Sequence, residues 1–251
     1  MICIKSNKEI EKMRKAGYIT ACALQAAGEA LRPGMTTHEL DKVVERYILS
    51  HGAKPGFKGY GGFPAAACIS VNDVVIHGIP GNYVIKEGDI VSVDTGAYIN
   101  GYHGDSARTF AVGKITDEAE RLLKSTQESL MIAVSMAAPG VRVGDLGAAI
   151  QKHNEDNGFG VVREFVGHGL GRDLHEDPEV PNFGKEGHGV RLREGMVICI
   201  EPMITAGDPA VRVLDDGWTV KTVDHSLAAH FEHAIAITKD GCMILSDPAS
   251  Y

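Results

Sequence analysis

Glu87-Gly88-Asp89-Ile90-Val91-Ser92-Val93-Asp94 and Glu194-Gly195-Met196-Val197-Ile198-Cys199-Ile200-Glu201 share one pattern: a Glu-Gly pair, an apolar run and a closing acid. Upstream of each, Pro33, Gly34, Leu40 and Gly52 map onto Pro139, Gly140, Leu146 and Gly158 at a single constant displacement. The displacement between the two strands is almost the same. Pro-Gly pairs and apolar strands are common, so coincidence is the competing reading, but the shared displacement argues for a duplicated unit.

The helices around these landmarks follow from local chemistry. Ser6-Asn7-Lys8-Glu9 reads as a capping box opening a helix to about Ala30, which Pro33-Gly34 stops. Thr36-Thr37-His38-Glu39 is a second box, followed by Leu40, Val43, Val44, Tyr47 and Ile48 on one helical face and a terminating Gly52. Residues 116–138 form a third helical stretch ending at Pro139-Gly140. A fourth carries Leu146, Ala149 and Ile150 and stops at Gly158. The expectation is an α+β chain forming a single domain, 1–251, with two pseudo-symmetric halves at about 1–115 and 116–251. A curved antiparallel sheet is covered by helices on one side, and a site at the seam takes matching acids from each half.

Asn100-Gly101 between apolar segments predicts a two-residue type I′ hairpin. Pairing Ile99 with Tyr102 sets Asp105 opposite Gly96, so Asp94 and Asp105 become diagonal neighbours on one face, about 7–8 Å apart at Cα. Two carboxylates projecting from a sheet interior repel and are costly to desolvate, and a cation between them removes both problems. Glu201 closes an apolar run. Glu232 lies in the strand-like His230-Phe231-Glu232-His233-Ala234-Ile235-Ala236-Ile237. Histidine completes a ligand set: His168 within Gly167-His168-Gly169, where glycine lets the backbone approach a ligand, with His175 and His77 as further candidates. His38, His51, His103, His153, His188, His225, His230 and His233 are read as structural or exposed. Four carboxylates and one histidine make a hard site, suited to Mn²⁺, Fe²⁺ or Co²⁺ at least as well as Zn²⁺. Two such ions about 3.5–4 Å apart activate water and orient a carbonyl, which is hydrolytic chemistry.

Composition excludes several other classes. With 25 Lys+Arg against 33 Asp+Glu in 251 residues, the net charge of -8 leaves no general basic field for nucleic acid or anionic lipid. The five cysteines lack a CxxC pair, which speaks against a disulfide framework or a cysteine zinc site and fits a reducing cytosol. No apolar run approaches bilayer length, and residues 1–5 lack a signal-type core. The expectation is a cytoplasmic protein that is neither exported nor inserted.

Over essentially its whole length the chain resembles the type I methionine aminopeptidases, members of the pita-bread fold. The motifs occur in order: Cys68-Ile69-Ser70-Val71-Asn72, His77-Gly78-Ile79-Pro80, Asp94, His103-Gly104-Asp105, Gly167-His168-Gly169, His175-Glu176, Glu201-Pro202-Met203, Asp216-Gly217-Trp218-Thr219 and Glu232-His233. The resemblance implies that Asp94 and Asp105 hold one divalent metal ion. Asp105 and Glu232 bridge to a second, completed by His168 and Glu201. It implies Glu201 as proton shuttle, His175 as the group polarising the scissile amide, and His77 as a contact to the peptide beyond it. The methionine pocket falls on Phe57, Tyr60, Phe63, Cys68, Leu174 and Trp218, a lining suited to a thioether. Backbone carbonyls of Asn72, Val74 and Ala228 match a monovalent cation site, Na⁺ or K⁺, seen in some members. With no room for the helical insertion of the type II branch and no zinc-finger extension, the resemblance is to the short bacterial form. That form acts as a monomer on nascent chains leaving the ribosome, with a preference for small second residues. The competing readings are an Xaa-Pro aminopeptidase or prolidase, which usually carries an extra N-terminal domain, and a non-catalytic binding protein on the same fold.

Overall fold

A computed structural model describes residues 2–249. Each half opens with two helices: α1 (Asn7–Ala30) and α2 (Thr37–Ser50) in the first, α3 (Asp117–Met136) and α4 (Val143–Asp156) in the second. Their starts are set by side chains that satisfy free backbone donors. Ser6 N–H donates to Glu9 Oε2 (2.9 Å), Thr36 N–H to Glu39 Oε2 (2.7 Å) and Arg142 N–H to Asp145 Oδ2 (2.7 Å). Past α2 and α4, Gly52 (φ 72°) and Gly158 (φ 82°) take the left-handed backbone that ends a helix. Leu40, Val44 and Ile48 of α2, and Leu146 and Ile150 of α4, are completely buried. Truncating Leu40 or Leu146 to alanine costs about 2–5 kcal/mol.

The repeat extends to individual hydrogen bonds. Gly34 N–H donates to Ile85 O (2.8 Å) and Gly140 N–H to Leu192 O (2.9 Å). Ile85 N–H returns to Met35 O (2.8 Å) and Leu192 N–H to Val141 O (2.7 Å). At the strands, Gly88 N–H donates to Val112 O (2.8 Å) and Gly195 N–H to Ile237 O (2.9 Å). Val112 N–H then donates to Asp89 O and Ile237 N–H to Met196 O. The two halves are thus built on one backbone plan.

All strand pairs are antiparallel. In the first half Ile90–Ile99 is central, flanked by Tyr102–Ala111 and Ala67–Val71. In the second half Val197–Ile200 lies between His233–Ile237 and Gly167–Gly169. The curved surface is not one continuous ladder, because backbone pairing among the described residues divides it into four sheets. Where the halves meet, side chains take over: Ser106 Oγ donates to Glu232 O (2.7 Å) and Thr109 Oγ1 to His230 O (2.8 Å). Glu232 N–H also crosses the seam, to Ala107 O (2.9 Å).

This junction corrects the expectation of an unbroken strand through Glu232. Phe231 and Glu232 lie in a gap between strands Ala228–His230 and His233–Ile237. Opposite them is Pro202, which has no N–H to continue the ladder, and Glu232 N–H turns to the other half instead.

Among the described residues one hydrophobic cluster fills each half and two span the seam, the larger joining Met13, Phe57 and Tyr102 to Leu170, Leu174, Val197 and Leu245. Helix α1 lies hard against the hairpin. A Cβ added to Gly104 would sit 2.4 Å from the Ala16 carbonyl carbon, so glycine is required beside Asp105.

Candidate metal centre

The hairpin register places the first two acids as expected: Ile99 opposite Tyr102, Gly96 opposite Asp105, and Asp94 opposite Ala107. Asn100 (φ 57°) and Gly101 (φ 84°) form the turn with the left-handed backbone that a type I′ geometry demands. Glu201 directly follows its strand, and Glu232 reaches in from the seam.

His168 sits in the short strand Gly167–Gly169. Its flanking glycines serve strand packing rather than ligand approach: a Cβ at Gly167 would lie 2.3 Å from Cys199 O, and one at Gly169 2.2 Å from Asp177 O. With Nδ1 donating to Gly169 O (2.8 Å), the ring keeps a lone pair on Nε2. That atom faces Asp105 Oδ2 at 3.7 Å and Glu201 Oε1 at 3.5 Å.

The four carboxyls are buried so deeply that their charged forms are disfavoured. Burial pushes Asp94 up to about 7 and Glu201 up to about 8. Burial first, and mutual repulsion second, hold Asp105 and Glu232 well above the usual carboxylate range. The imidazoles beside them give no compensating charge, since burial lowers His168 to about 3 and lowers His230 as well. Asp94 Oδ1, Asp105 Oδ1 and Glu232 Oε1 are buried without a hydrogen-bond partner. Buried oxygens that lack both a proton donor and a cation are the donor set a divalent ion satisfies. One ligand atom each from Asp105, His168, Cys199 and Glu232 lies within 4.8 Å of the others.

Three nearby residues escaped the sequence reading. Cys199, two residues before Glu201 and therefore on its face, is fully buried with its thiol against Glu232, and burial keeps that thiol protonated. His230, expected to be structural or exposed, is 1% exposed, with Nε2 3.6 Å from Glu201 Oε2. Phe165 packs edge-on to His77 at 5.8 Å. Strand alternation carried the signal for the first two; only tertiary packing reveals Phe165.

A single cavity joins the acids to an apolar slot. Phe57, Tyr60, Phe63, Cys68, Leu174 and Trp218 line it together with His77, His175 and all five expected ligands; Ile76, Phe165 and Val166 complete the wall. Trp218 meets Phe63 edge-on at 5.1 Å. His77 holds a left-handed backbone (φ 57°), and burial drops its ring to about 4. The His175 ring lies 4.3 Å from that of His168, tilted at 59°, and its Nδ1 lies 2.7 Å from the Tyr60 hydroxyl. Away from this cavity, Asn72 O accepts Ala228 N–H at 2.9 Å, and Val74 pairs with Lys221. Asn72 thus reaches Ala228 of the other half, its carbonyl already holding one donor.

The sequence profile of metallopeptidase family M24 matches residues 11–239. The chain belongs to metallopeptidase family M24. This M24 protein is 53% identical to methionine aminopeptidase of Clostridium perfringens over 246 residues, covering 98% of this chain and 99% of that one. The crystal structure of methionine aminopeptidase from Thermotoga maritima superimposes with a TM-score of 0.97 at 49% identity, covering 98% of this chain and 100% of that one. A prolidase from Pyrococcus furiosus superimposes less closely, with a TM-score of 0.79 at 27% identity, over 97% of this chain but 65% of that one. The pita-bread fold of the family accounts for the two pseudo-symmetric halves of this M24 metallopeptidase.

Proposed function

We propose that this chain removes the N-terminal methionine from peptides and nascent proteins by metal-activated hydrolysis. The observation that carries the reading is the single cavity in which an aromatic, sulfur-bearing slot opens onto buried carboxyls and histidines. The methionine aminopeptidases it resembles, at 49–53% identity over nearly the whole chain, support the substrate.

In this reading Asp94, Asp105, His168, Glu201 and Glu232 hold two divalent ions, Mn²⁺, Fe²⁺, Co²⁺ or Zn²⁺. When bound, such ions polarise the scissile carbonyl and acidify water. The remaining work falls to the protein. The slot formed by Phe57, Tyr60, Phe63, Cys68, Leu174 and Trp218 takes the methionine side chain, its aromatic edges favouring a thioether. Tyr60 donates its hydroxyl hydrogen to His175 Nδ1, so His175 keeps its own hydrogen on Nε2. From there it donates to the scissile carbonyl oxygen as negative charge develops. Glu201, a free carboxylate once metal has displaced its proton, takes a proton from the attacking water and passes it to the leaving amine. His77, kept neutral by burial, contacts the residue beyond the scissile bond.

We further propose that residues 1–251 work as one catalytic domain, as a monomer in the cytoplasm, on chains leaving the ribosome and with a small second residue preferred. Among the described residues no helix is long and apolar enough to cross a membrane. The Asn72, Val74 and Ala228 carbonyls are proposed to hold Na⁺ or K⁺.

The test is release of free methionine from Met-Ala-Ser by protein loaded with Mn²⁺, Fe²⁺ or Co²⁺, read by mass spectrometry. Release with all but the smallest second residues rejected supports the proposal. No release with any metal, alongside cleavage of an Ala-Pro peptide, overturns it.

A further inference from the structure

We propose that His230 is a positioning residue for Glu201: its Nε2–H holds the Oε2 oxygen of that carboxylate and leaves Oε1 facing His168. The assignment rests on the metallopeptidase reading of the site, and two separate observations carry it.

The first is local. His230 is buried, both of its ring nitrogens lack a hydrogen-bond partner, and Nε2 lies 3.6 Å from Glu201 Oε2. Glu201 Oε1 meanwhile lies 3.5 Å from His168 Nε2, so the carboxylate is flanked by one imidazole at each oxygen. The His230 backbone cannot drift, because its N–H donates to Thr109 Oγ1 (2.9 Å) while the same hydroxyl donates to His230 O (2.8 Å). A contact of 3.6 Å is a few tenths of an ångström beyond an ordinary hydrogen bond, and catalytic contacts of this kind tighten when substrate assembles the site.

The second lies in the repeat. Gly96 pairs with Asp105 in the first half, and Met203 pairs with His230 in the second. Asp94 and Glu201 stand two residues before Gly96 and Met203 respectively. His230 therefore bears the same relation to Glu201 that Asp105 bears to Asp94. The fold has two equivalent inward positions, one filled by a carboxylate and the other by an imidazole.

Groups that hold a metal ligand in place are typically worth 10–100-fold in metal affinity or activity. The experiment titrates Mn²⁺ calorimetrically into metal-free protein and measures kcat and KM on Met-Ala-Ser for wild type, His230→Leu, His230→Met and His230→Gln. The expected result is a loss of about 10–100-fold in Mn²⁺ affinity and in kcat for the leucine and methionine variants, with KM little changed. Glutamine, which keeps a donor, restores both to within about threefold. In a Glu201→Ala background the further loss from His230→Leu should vanish, because partners acting through one contact are not additive. Wild-type affinity and kcat in a folded His230→Leu or His230→Met protein would overturn the assignment. So would a glutamine variant as impaired as leucine, which would make the ring itself a ligand. Failure of the wild type to release methionine would instead strike the aminopeptidase reading.

Discussion

Lys5 Nζ lies 2.5 Å from Glu176 Oε2, and the two side chains are 5% and 10% exposed. The pair ties the segment ahead of α1 to the loop that carries Leu174 and His175. Glu176 Oε1 draws the same loop together by accepting Arg172 N–H (2.9 Å), while Lys5 N–H is fixed to Gly195 O (2.7 Å). Lys5→Met leaves a buried carboxylate without its cation, a change that costs about 3–5 kcal/mol. The expected outcome is a stability loss of that size in chemical unfolding, with a raised KM for Met-Ala-Ser because His175 and Leu174 lose their anchor. A loss below about 1 kcal/mol, the range of an exposed pair, would show that the strap does not hold the loop.

Tyr60→Phe removes the hydroxyl at His175 Nδ1 and leaves the slot lined by the same ring. A net hydrogen bond is worth about 1 kcal/mol, so kcat should fall about fivefold to tenfold while KM stays nearly constant. Steady-state kinetics decides it. A rise in KM with kcat untouched would assign Tyr60 to methionine binding alone.

Glu201→Gln keeps the shape of the side chain but cannot accept a proton. Turnover should drop by about 10²–10⁴-fold, the usual contribution of general acid-base catalysis. His77→Ala, by contrast, should keep its metal content, measured by inductively coupled plasma analysis, while KM rises. Loss of metal from His77→Ala would show that His77 is a ligand.

The pH behaviour of metal-free protein follows from the raised acids. Asp94 near 7 and Glu201 near 8 hold protons in the folded chain that the unfolded chain has already released. Between the ordinary carboxylate range and about pH 8 these carboxyls make stability fall as pH rises; His77, His168 and His230, held neutral by burial, pull the other way below about pH 7, and the four raised acids outweigh them. Metal binding displaces those protons, so Mn²⁺ affinity rises over the same window. Thermal unfolding after chelation should give a lower Tm at pH 8 than at pH 6, with added Mn²⁺ restoring more at pH 8. A Tm that climbs steadily with pH in metal-free protein would contradict this picture.

The parts of the site legible in the sequence are those governed by short-range rules. Asn100-Gly101 determines a turn, the turn determines register, and register puts Asp94 and Asp105 on one face without tertiary information. The capping boxes at Ser6 and Thr36 and the stops at Gly52 and Gly158 are equally local. The break at Phe231–Glu232 was not legible, because it depends on where Pro202 and Ala107 lie in space. His230 and Cys199 were legible in principle, since each shares a face with an acid two residues away, but a lone histidine or cysteine in an apolar strand gives no sign of facing a cluster. Phe165 depends wholly on packing against His77.

A site built where two equivalent halves meet has a problem of direction. Related by rotation, the halves would present the same surroundings to a peptide entering either way, and an enzyme that trims one end must tell that end from the other. Polarity can come only from positions where the halves differ. Asp105 stands where the second half has His230, Ala107 where it has Glu232, and the aromatic slot gathers around His175 with no second slot opposite among the described residues lining the cavity. The departures from the repeat, more than the repeat itself, are what give this protein a front and a back.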